Sequence, residues 1–232
     1  MNDRSLFTLS FDDGFKKSFT LAAQIHEEFG LKACLNIPTE SCGPHWKPPD
    51  EWHNAPTGNW ELWNELASRG HEIMPHGYDH CDHAAVPFQE SIRKVDLCLD
   101  AFEENLKGFK RTEAVFNFPY NSSSPAIEEY VSSKVRAFRT GGDINPLPSR
   151  GLTRLRCTAY GPENCDSHLE ETINQLLSLP APGWLIYNAH GFDEEGFGPL
   201  TPDFLRRLYD RLLKTKRVEI LPTGMALKKY AA

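Results

Sequence analysis

Short apolar runs alternate with longer amphipathic segments along the chain, and this alternation restricts the possible fold more than any other feature. Residues 6–10 have the pattern of a strand, and residues 16–29 repeat apolar side chains at three- and four-residue spacing before Gly30. Similar strand-then-helix units recur roughly seven times without a linker, which is typical of a parallel α/β fold. We therefore expect one domain spanning residues 1–232.

The remaining elements follow from the same patterns. Further strands are predicted at 32–37, 72–74, 114–118, 135–139, 152–156, 184–189 and 218–221, and helices at 60–69 and 88–106. Two later helices are predicted from their start signals. One is a capping box formed by Ser167 and Glu170, and the other is Thr201 followed by Pro202.

A (β/α) barrel explains this series better than an open, doubly wound sheet. A doubly wound nucleotide-binding sheet is expected to carry a glycine-rich turn after its first strand. The sequence there is "FDDGFKKS", with a single glycine. We predict a distorted, incomplete (β/α) barrel with about seven parallel strands.

Composition excludes several classes of function. The net charge of -7 gives no electrostatic basis for binding nucleic acid or an anionic membrane. No apolar run is long enough to span a bilayer, and the N-terminus enters a strand pattern too early for a secretory signal. We therefore expect a cytoplasmic protein. Its six cysteines form no C-x-x-C pair, and reduced thiols are expected in that compartment.

The first strand ends in two adjacent acidic residues, Asp12 and Asp13, within "LSFDDGF". The dipeptide Asp-Gly is common in turns, so a simple surface turn is one interpretation. The other is a site that needs two carboxylates with different tasks. His76, Tyr120 and His190 also follow predicted strands. Because active sites of (β/α) barrels form at the carboxyl ends of the strands, these residues are expected to share one rim.

Two histidines and a carboxylate on this rim suit a divalent metal with an open position. His76 and His80 are four residues apart, which would place both imidazoles on one side of a helical turn. One aspartate could then bind the metal while the other takes a proton from water. Of the nearby histidines, His71 is expected at the start of its strand, away from the rim, whereas His83 is close enough to substitute as a ligand.

Four motifs resemble those of the NodB-homology polysaccharide deacetylases, a carbohydrate esterase family. "LSFDDGF" is similar to the family's opening motif and "HGYDH" to its metal-binding histidine motif. "FNFPYN" looks like a variant of its R-x-P-Y motif, and "YNAHGF" like the region of its late catalytic histidine. The resemblance extends from Leu6 to about His190 and implies a distorted (β/α) barrel with fewer than eight complete units.

The resemblance also implies roles for individual residues. Asp12 would be the general base, and Asp13 would bind the metal together with His76 and His80. His190 would be the general acid that protonates the leaving amine. The backbone N–H of Tyr120 would help to stabilise the oxyanion. Zinc is the metal that the family usually holds, with cobalt or nickel as substitutes.

The sequence departs from the family at three places. Asn117 stands where an arginine often positions the base, and Arg139, after the next predicted strand, could replace that arginine. The family's aspartate-and-tryptophan motif has no good match, so Asp143 is only a candidate for tuning His190. Met74-Pro75 stands where Gly-Asn is frequent.

These observations favour metal-dependent removal of an N-acetyl group from an amino sugar of a polysaccharide or glycan precursor. The expected substrate-binding residues are Tyr120, Pro119, Asn117, Arg139 and Trp52. Trp46 and Trp52, in the Pro- and Trp-rich segment 38–58, either stack on a sugar or pack that segment onto the barrel. Two alternatives remain: a deformylase or other small-amide hydrolase at the same metal site, and a glycan-binding barrel without catalysis. The pattern does not specify the oligomeric state.

Overall fold

The computed structural model describes residues 4–44, 46–47 and 49–230. Its strands are β1 (Ser5–Phe11), β2 (Cys34–Ile37), β3 (Glu72–Pro75), β4 (Val115–Asn117), β5 (Ala137–Gly141), β6 (Asn145–Pro146), β7 (Arg154–Ala159), β8 (Gly183–Ala189) and β9 (Val218–Ile220). Its α-helices are α1 (Lys16–Glu28), α2 (Trp60–Ser68), α3 (Phe88–Asn105), α4 (Pro125–Ser132), α5 (Asp166–Ser178), α6 (Pro202–Thr215) and α7 (Thr223–Tyr230). None of the helices in these ranges is long and apolar enough to cross a bilayer.

Seven parallel strands form a nearly closed barrel, in the order β3-β2-β1-β8-β7-β5-β4. This confirms the predicted distorted (β/α) barrel, and the doubly wound alternative is wrong. Strand β1 is the centre of the sheet, since it pairs with β8 along Leu6–Phe11 and with β2 and β9 on its other side. All seven residues of β1 are buried, as expected for a parallel strand covered on both faces.

The seam of the barrel lies between β3 and β4, which share no ladder pairing in the described part of the chain. A side chain bridges this seam: Asn117 donates from Nδ2 to the carbonyl oxygen of Pro75 at 3.2 Å. The two strands therefore stay adjacent without a continuous hydrogen-bonded ladder.

Alternating side chains of β1 divide the core into an outer and an inner part. Phe7, Leu9 and Phe11 pack into the large cluster that includes residues of the surrounding helices. Leu6 belongs to the smaller cluster, which also contains Ala226 of α7. Ser10, near the end of β1, and Asp12, directly after it, enter a polar network rather than an apolar cluster. The alternation of β1 thus carries Asp12 to the inner face of the barrel.

Several local predictions need correction. The sequence patterns predicted neither of the helices α4 and α7, nor the short antiparallel strand β6. The predicted capping box at Ser167 is wrong, because α5 begins at Asp166, whose carboxylate accepts hydrogen bonds from Thr201 instead. The start of α6 at Pro202 is as predicted. All six cysteines are unpaired.

Candidate active site and metal centre

The predicted functional residues meet at the carboxyl ends of the strands. Asp12 and Asp13 follow β1, His76 follows β3, and His190 follows β8. Tyr120 lies three residues beyond the end of β4. All of them except His190 and Tyr120 are buried. The fold therefore brings together side chains that lie far apart in the sequence.

Three of these side chains can hold a cation. One ligand atom each from Asp13, His76 and His80 lies within 4.8 Å of the others, and all three residues are buried. Asp13 Oδ1 is 3.1 Å from His80 Nε2 and 3.4 Å from His76 Nε2. This oxygen accepts no hydrogen bond from any described residue. A buried carboxylate oxygen that faces two imidazole nitrogens without hydrogen bonds fits a divalent metal placed among them.

The orientation of His76 supports the same interpretation. Its Nδ1 lies 2.9 Å from the carbonyl oxygen of Asn117 and must donate to it, because a carbonyl only accepts. Nε2 is therefore the ring nitrogen that is free to bind a metal, and it faces Asp13. A backbone carbonyl on the outer ring nitrogen is a frequent arrangement for a metal-binding histidine.

His76 and His80 converge through a loop and not through a helical turn, which corrects the prediction from their spacing. Strand β3 ends at Pro75, and Gly77 and His80 have φ values of 81° and 56°. A Cβ on Gly77 would lie 3.1 Å from Pro119 Cγ in a conformation that side chains rarely adopt. The loop therefore requires glycine at this position to bring both histidines to the rim.

Three of the six described residues other than glycine that have left-handed φ values lie at the site. Asp13, His80 and Tyr120 have φ values of 80°, 56° and 56°. A left-handed conformation at a residue other than glycine costs on the order of 1–3 kcal/mol and persists where the surroundings enforce it. Three such residues around one cluster are typical of a functional site.

Asp12 is held by a buried cation and two polar side chains. Arg139 Nη1 lies 3.1 Å from Asp12 Oδ1, and Nη2 donates to Oδ2. Asn36 Nδ2 donates to Asp12 Oδ1 at 2.7 Å, and Ser10 Oγ lies 3.2 Å from the same oxygen. Burial raises the pKa of Asp12, but the charges of Arg139 and His76 outweigh it and lower the pKa to about 2. Asp12 is therefore a carboxylate at any physiological pH.

Sequence reasoning missed His53, which lies in direct contact with this cluster. Its Nε2 is 3.2 Å from Asp13 Oδ2, and its Nδ1 is 2.6 Å from Asp50 Oδ1. Burial lowers the pKa of His53, but hydrogen bonds and charges from Asp13 and Asp50 prevail and raise it to about 9. The residue stands in a segment without periodicity, so no spacing rule connected it with the other histidines.

The pKa of Asp13 also depends on these rings. Burial raises it, but the charges of His80 and His190, together with the close approach of the His53 and His76 rings, hold it well below its usual range. Asp13 is therefore ionised and can serve as an anionic ligand.

His190 faces the cluster from β8. Its Nδ1 donates to the carbonyl oxygen of Phe197, and its Nε2 lies 3.9 Å from Asp13 Oδ2 and 3.4 Å from Asn188 Nδ2. The bond to Phe197 therefore leaves Nε2 as the ring nitrogen directed at the site. Asp143 is exposed and is absent from the contacts of His190 within the described ranges.

The five predicted substrate-binding residues divide into two groups. Trp52 and Tyr120 are 37% and 52% exposed at the mouth of the site, whereas Pro119, Asn117 and Arg139 are buried. The Tyr120 ring packs on His80 with centroids 4.6 Å apart, and Trp52 packs on Phe197 at 5.8 Å. Trp52 and Tyr120 thus offer surfaces to a ligand, while the three buried residues lie beneath the site.

Asn117, where the motif resemblance leads us to expect an arginine, has other partners. Its Nδ2 donates to Asn36 Oδ1 at 3.0 Å, to the carbonyl oxygen of Val115 at 3.0 Å and to that of Pro75. Asn36 in turn donates to Asp12. Asn117 therefore reaches Asp12 only through Asn36, and the direct cationic contact comes from Arg139.

The two remaining histidines lie outside the cluster. His71 accepts from the backbone N–H of Ala33 at 3.0 Å and pairs with Glu27, before the start of β3 as predicted. His83 places its Nδ1 2.7 Å from Ser91 Oγ and packs against Phe116 and Phe118. His83 is not a member of the three-residue group that could hold a metal.

Solved structures of carbohydrate esterases and deacetylases share this fold. An acetyl xylan esterase from Clostridium thermocellum, solved with a cobalt ion, has a TM-score of 0.65 at 15% identity over 97% of this chain and 91% of its own. The Bc1960 peptidoglycan N-acetylglucosamine deacetylase has a TM-score of 0.59 at 15% identity over 94% and 87%. A pseudoenzyme from Bacillus anthracis has a TM-score of 0.63 at 9% identity over 100% and 68%. At these identities the likeness concerns the fold alone.

The sequence itself carries the family relationship. No curated protein matches the chain. Residues 2–137, which include Asp12, Asp13, His76 and His80, match the family described as polysaccharide deacetylase. This match covers more than half of the 232 residues. The chain belongs to the polysaccharide deacetylase family.

Proposed function

We propose that the protein is a metal-dependent hydrolase that removes the N-acetyl group from an amino sugar in a polysaccharide or glycan precursor. The observation that carries this proposal is the convergence of Asp13 Oδ1 with the Nε2 atoms of His76 and His80. Membership of the polysaccharide deacetylase family supports deacetylation as the reaction class. The overall reaction consumes water and yields the free amine and acetate.

Asp13, His76 and His80 would hold the metal, and their mixed nitrogen and oxygen donors suit zinc best, with cobalt or nickel as substitutes. When bound, a divalent cation supplies Lewis acidity, which polarises a carbonyl and lowers the pKa of water. The protein contributes a rigid ligand set, because Asn117 fixes the ring of His76.

Two residues flank the ligand set and are assigned the proton transfers. Asp12 is ionised and lies 3.5 Å from His76 Nε2, so it can accept the proton of the attacking water. Arg139 holds the carboxylate in place. His190 presents Nε2 to the site and would give its proton to the leaving nitrogen. The backbone N–H of Tyr120 is assigned to the carbonyl oxygen that becomes negatively charged.

The exposed aromatic residues at the mouth support a sugar as substrate. Trp52 and Tyr120 are exposed and contact Phe197 and His80, respectively, and flat rings of this kind bury the apolar face of a pyranose. A deformylase acting on a small amide would need no such surface. This observation therefore favours a glycan over a small amide.

Acetate release from defined substrates tests the proposal. The metal-stripped protein is reloaded with zinc, cobalt or nickel and incubated with N-acetylglucosamine oligomers, O-acetylated xylan and N-formylated glucosamine. We expect acetate from the N-acetylated oligomers, abolished by His76→Ala and retained by Asp143→Asn, which changes an exposed carboxylate.

The other outcomes identify the alternatives. Release from xylan alone would indicate an esterase, and release of formate alone a deformylase. Oligomer binding without any hydrolysis, with every metal, would indicate a glycan-binding barrel. Any of these three results would overturn the proposed activity.

A further inference from the structure

Two residues of segment 50–58, Asp50 and His53, form a row of contacting side chains that reaches Asp13. A single 3₁₀ turn, Glu51–His53, begins after Asp50, whose Oδ1 accepts from the backbone N–H of Trp52 at 2.9 Å. The same Oδ1 lies 2.6 Å from His53 Nδ1. Asp50 thus caps the turn and orients the ring of His53 at the same time.

The ring of His53 connects Asp50 to the proposed metal ligand. It is 5% exposed, its centroid lies 4.3 Å from that of His80, and its Nε2 faces Asp13 Oδ2 at 3.2 Å. The other oxygen, Oδ1, faces His76 and His80. The two oxygens of Asp13 therefore have separate partners, and His53 takes the one that points away from the two histidines. His53 is outside the three-residue group that could hold a metal.

Backbone hydrogen bonds fix this segment against the turn that contains Asp13. Gly58 donates to the carbonyl oxygen of Gly14 at 2.9 Å, and Lys16 donates to that of Pro56 at 2.9 Å. Phe15 and Thr57 form an isolated antiparallel bridge. These bonds attach residues 56–58, which follow His53, to the residues directly after Asp13, whose backbone has a φ of 80°.

We propose that Asp50, His53 and Asp13 form a positioning relay in which His53 orients the carboxylate of Asp13 for metal binding. Resting on the proposed function, this inference makes segment 50–58 part of the metal centre. His53 Nε2 makes no hydrogen bond within the described residues, so its contact with Asp13 Oδ2 is an ion pair. Side chains that hold a metal ligand from outside typically change metal affinity by about 10–100-fold when they are removed. The relay has its effect through the orientation of Asp13, so His53 is a positioning residue and does not itself bind the metal.

Equilibrium metal affinity tests the relay without reference to turnover. Zinc affinity is measured by competition with a chromogenic chelator for the wild type, His53→Ala, Asp50→Ala and the double variant. We expect His53→Ala to weaken binding by about 10–100-fold and Asp50→Ala to weaken it less. The double variant should be no weaker than His53→Ala alone, because in the relay Asp50 affects Asp13 through the ring of His53 and its cap of the turn supports that same ring. Glu51→Ala, an exposed neighbour on the same turn, is the matched control and should bind as the wild type does.

Two further measurements distinguish the relay from a loss of folding and from the loss of a metal ligand. Thermal melts in excess chelator should coincide for the wild type and His53→Ala if the substitution leaves the fold intact. His53→Gln, whose amide can still donate toward Asp13, should recover part of the affinity and serves as the test if His53→Ala does not fold. In the cobalt-loaded protein, His53→Ala should leave the visible absorption band unchanged, because no ligand has been removed.

Different results would contradict the relay and the proposed deacetylase activity. Unchanged zinc affinity in His53→Ala, additive losses in the double variant, or a shifted cobalt band would overturn the relay. A wild type that binds zinc through this relay but releases no acetate would overturn only the proposed function. A wild type that binds no metal would overturn both.

Discussion

Arg139 and Asp12 form a buried, two-pronged ion pair across the inside of the barrel. Arg139 lies on β5 and Asp12 follows β1, and both side chains are at most 1% exposed. Arg139 also donates from Nη1 to Ser10 Oγ at 2.7 Å. The cation that pairs with Asp12 thus comes from β5, whereas Asn117, the position where the motif resemblance predicts an arginine, lies on β4.

Breaking this pair is expected to destabilise the protein strongly. Arg139→Met leaves the carboxylate of Asp12 buried without its cation, which typically costs about 3–5 kcal/mol of the free energy of unfolding. Urea denaturation of the metal-free protein measures the loss. Arg154→Met is the matched control, since Arg154 pairs with Glu128 at the surface and should contribute less than about 1 kcal/mol. Similar losses for the two variants would contradict a special role of the buried pair.

The same cation should set the acidic limit of activity. Burial alone raises the pKa of Asp12, and the Arg139 guanidinium lowers it to about 2. In Arg139→Met we expect the pKa of Asp12 to rise, so the acidic limb of kcat/KM moves to higher pH and activity at pH 5 falls more than at pH 8. Arg139→Lys should shift the limb less, because it keeps the charge. If the acidic side of the pH profile of kcat/KM is unchanged in Arg139→Met, the pKa of Asp12 does not determine it.

Replacing Asp12 or Asp13 by asparagine should affect turnover and metal affinity differently. Asp12→Asn cannot accept a proton, so we expect turnover to fall by about 10²–10⁴-fold while metal remains bound. Asp13→Asn lowers the charge of a ligand, so metal affinity should fall and activity should partly return with excess metal. Metal content and turnover are measured on the same samples. Identical phenotypes in both variants would refute the division of tasks.

An arginine at position 117 should raise neither the stability nor the turnover of this protein. Asn117 is buried, and its amide already donates hydrogen bonds to Asn36 and to two carbonyl oxygens. Arg139 already forms the ion pair with Asp12. Asn117→Arg therefore overpacks the core and adds a second buried cation without a carboxylate partner, with an expected loss of about 3–5 kcal/mol. Thermal and urea unfolding measure it, with Asn117→Gln as a smaller change. Greater stability or turnover in Asn117→Arg would contradict this account.

His26 should make the fold sensitive to acid at a distance from the site. Its Nδ1 contacts the carbonyl oxygen of Ala22 at 2.6 Å and its Nε2 the hydroxyl of Tyr209 at 2.6 Å. Burial lowers the pKa of His26 from 6.5 to about 4. Between these pH values the unfolded chain binds a proton that the folded chain does not, so the free energy of unfolding falls as the pH drops from 6.5 to 4.

A variant without this titration isolates the contribution of His26. His26→Gln should reduce the loss of stability between pH 7 and pH 4 by up to about 3 kcal/mol, since each unit of pKa corresponds to about 1.4 kcal/mol. Urea denaturation at several pH values, with chelator present, provides the measurement. A pH dependence identical to that of the wild type would show that His26 contributes nothing to it.

The order of strands and helices, and the rim on which the site lies, follow from the sequence alone. Hydrophobic periodicity is a local property of the chain, so it predicted β1, α1, α3 and β8 within one or two residues at each end. In a (β/α) barrel, strand ends share one face, so Asp12, Asp13 and His190 could be assigned to the same rim. The family motifs added expected roles to these positions.

Only the tertiary structure decided which side chains complete the site. Arg139 and Asp12 are 127 positions apart, and no local pattern records whether their side chains meet inside the barrel. His53 stands in a segment without periodicity, and backbone bonds to the turn after β1 determine its position. His76 and His80 meet through a loop with left-handed residues, which spacing alone suggested to be helical. Periodicity reports which face of an element is buried, whereas contacts between distant elements depend on the packing of the whole barrel.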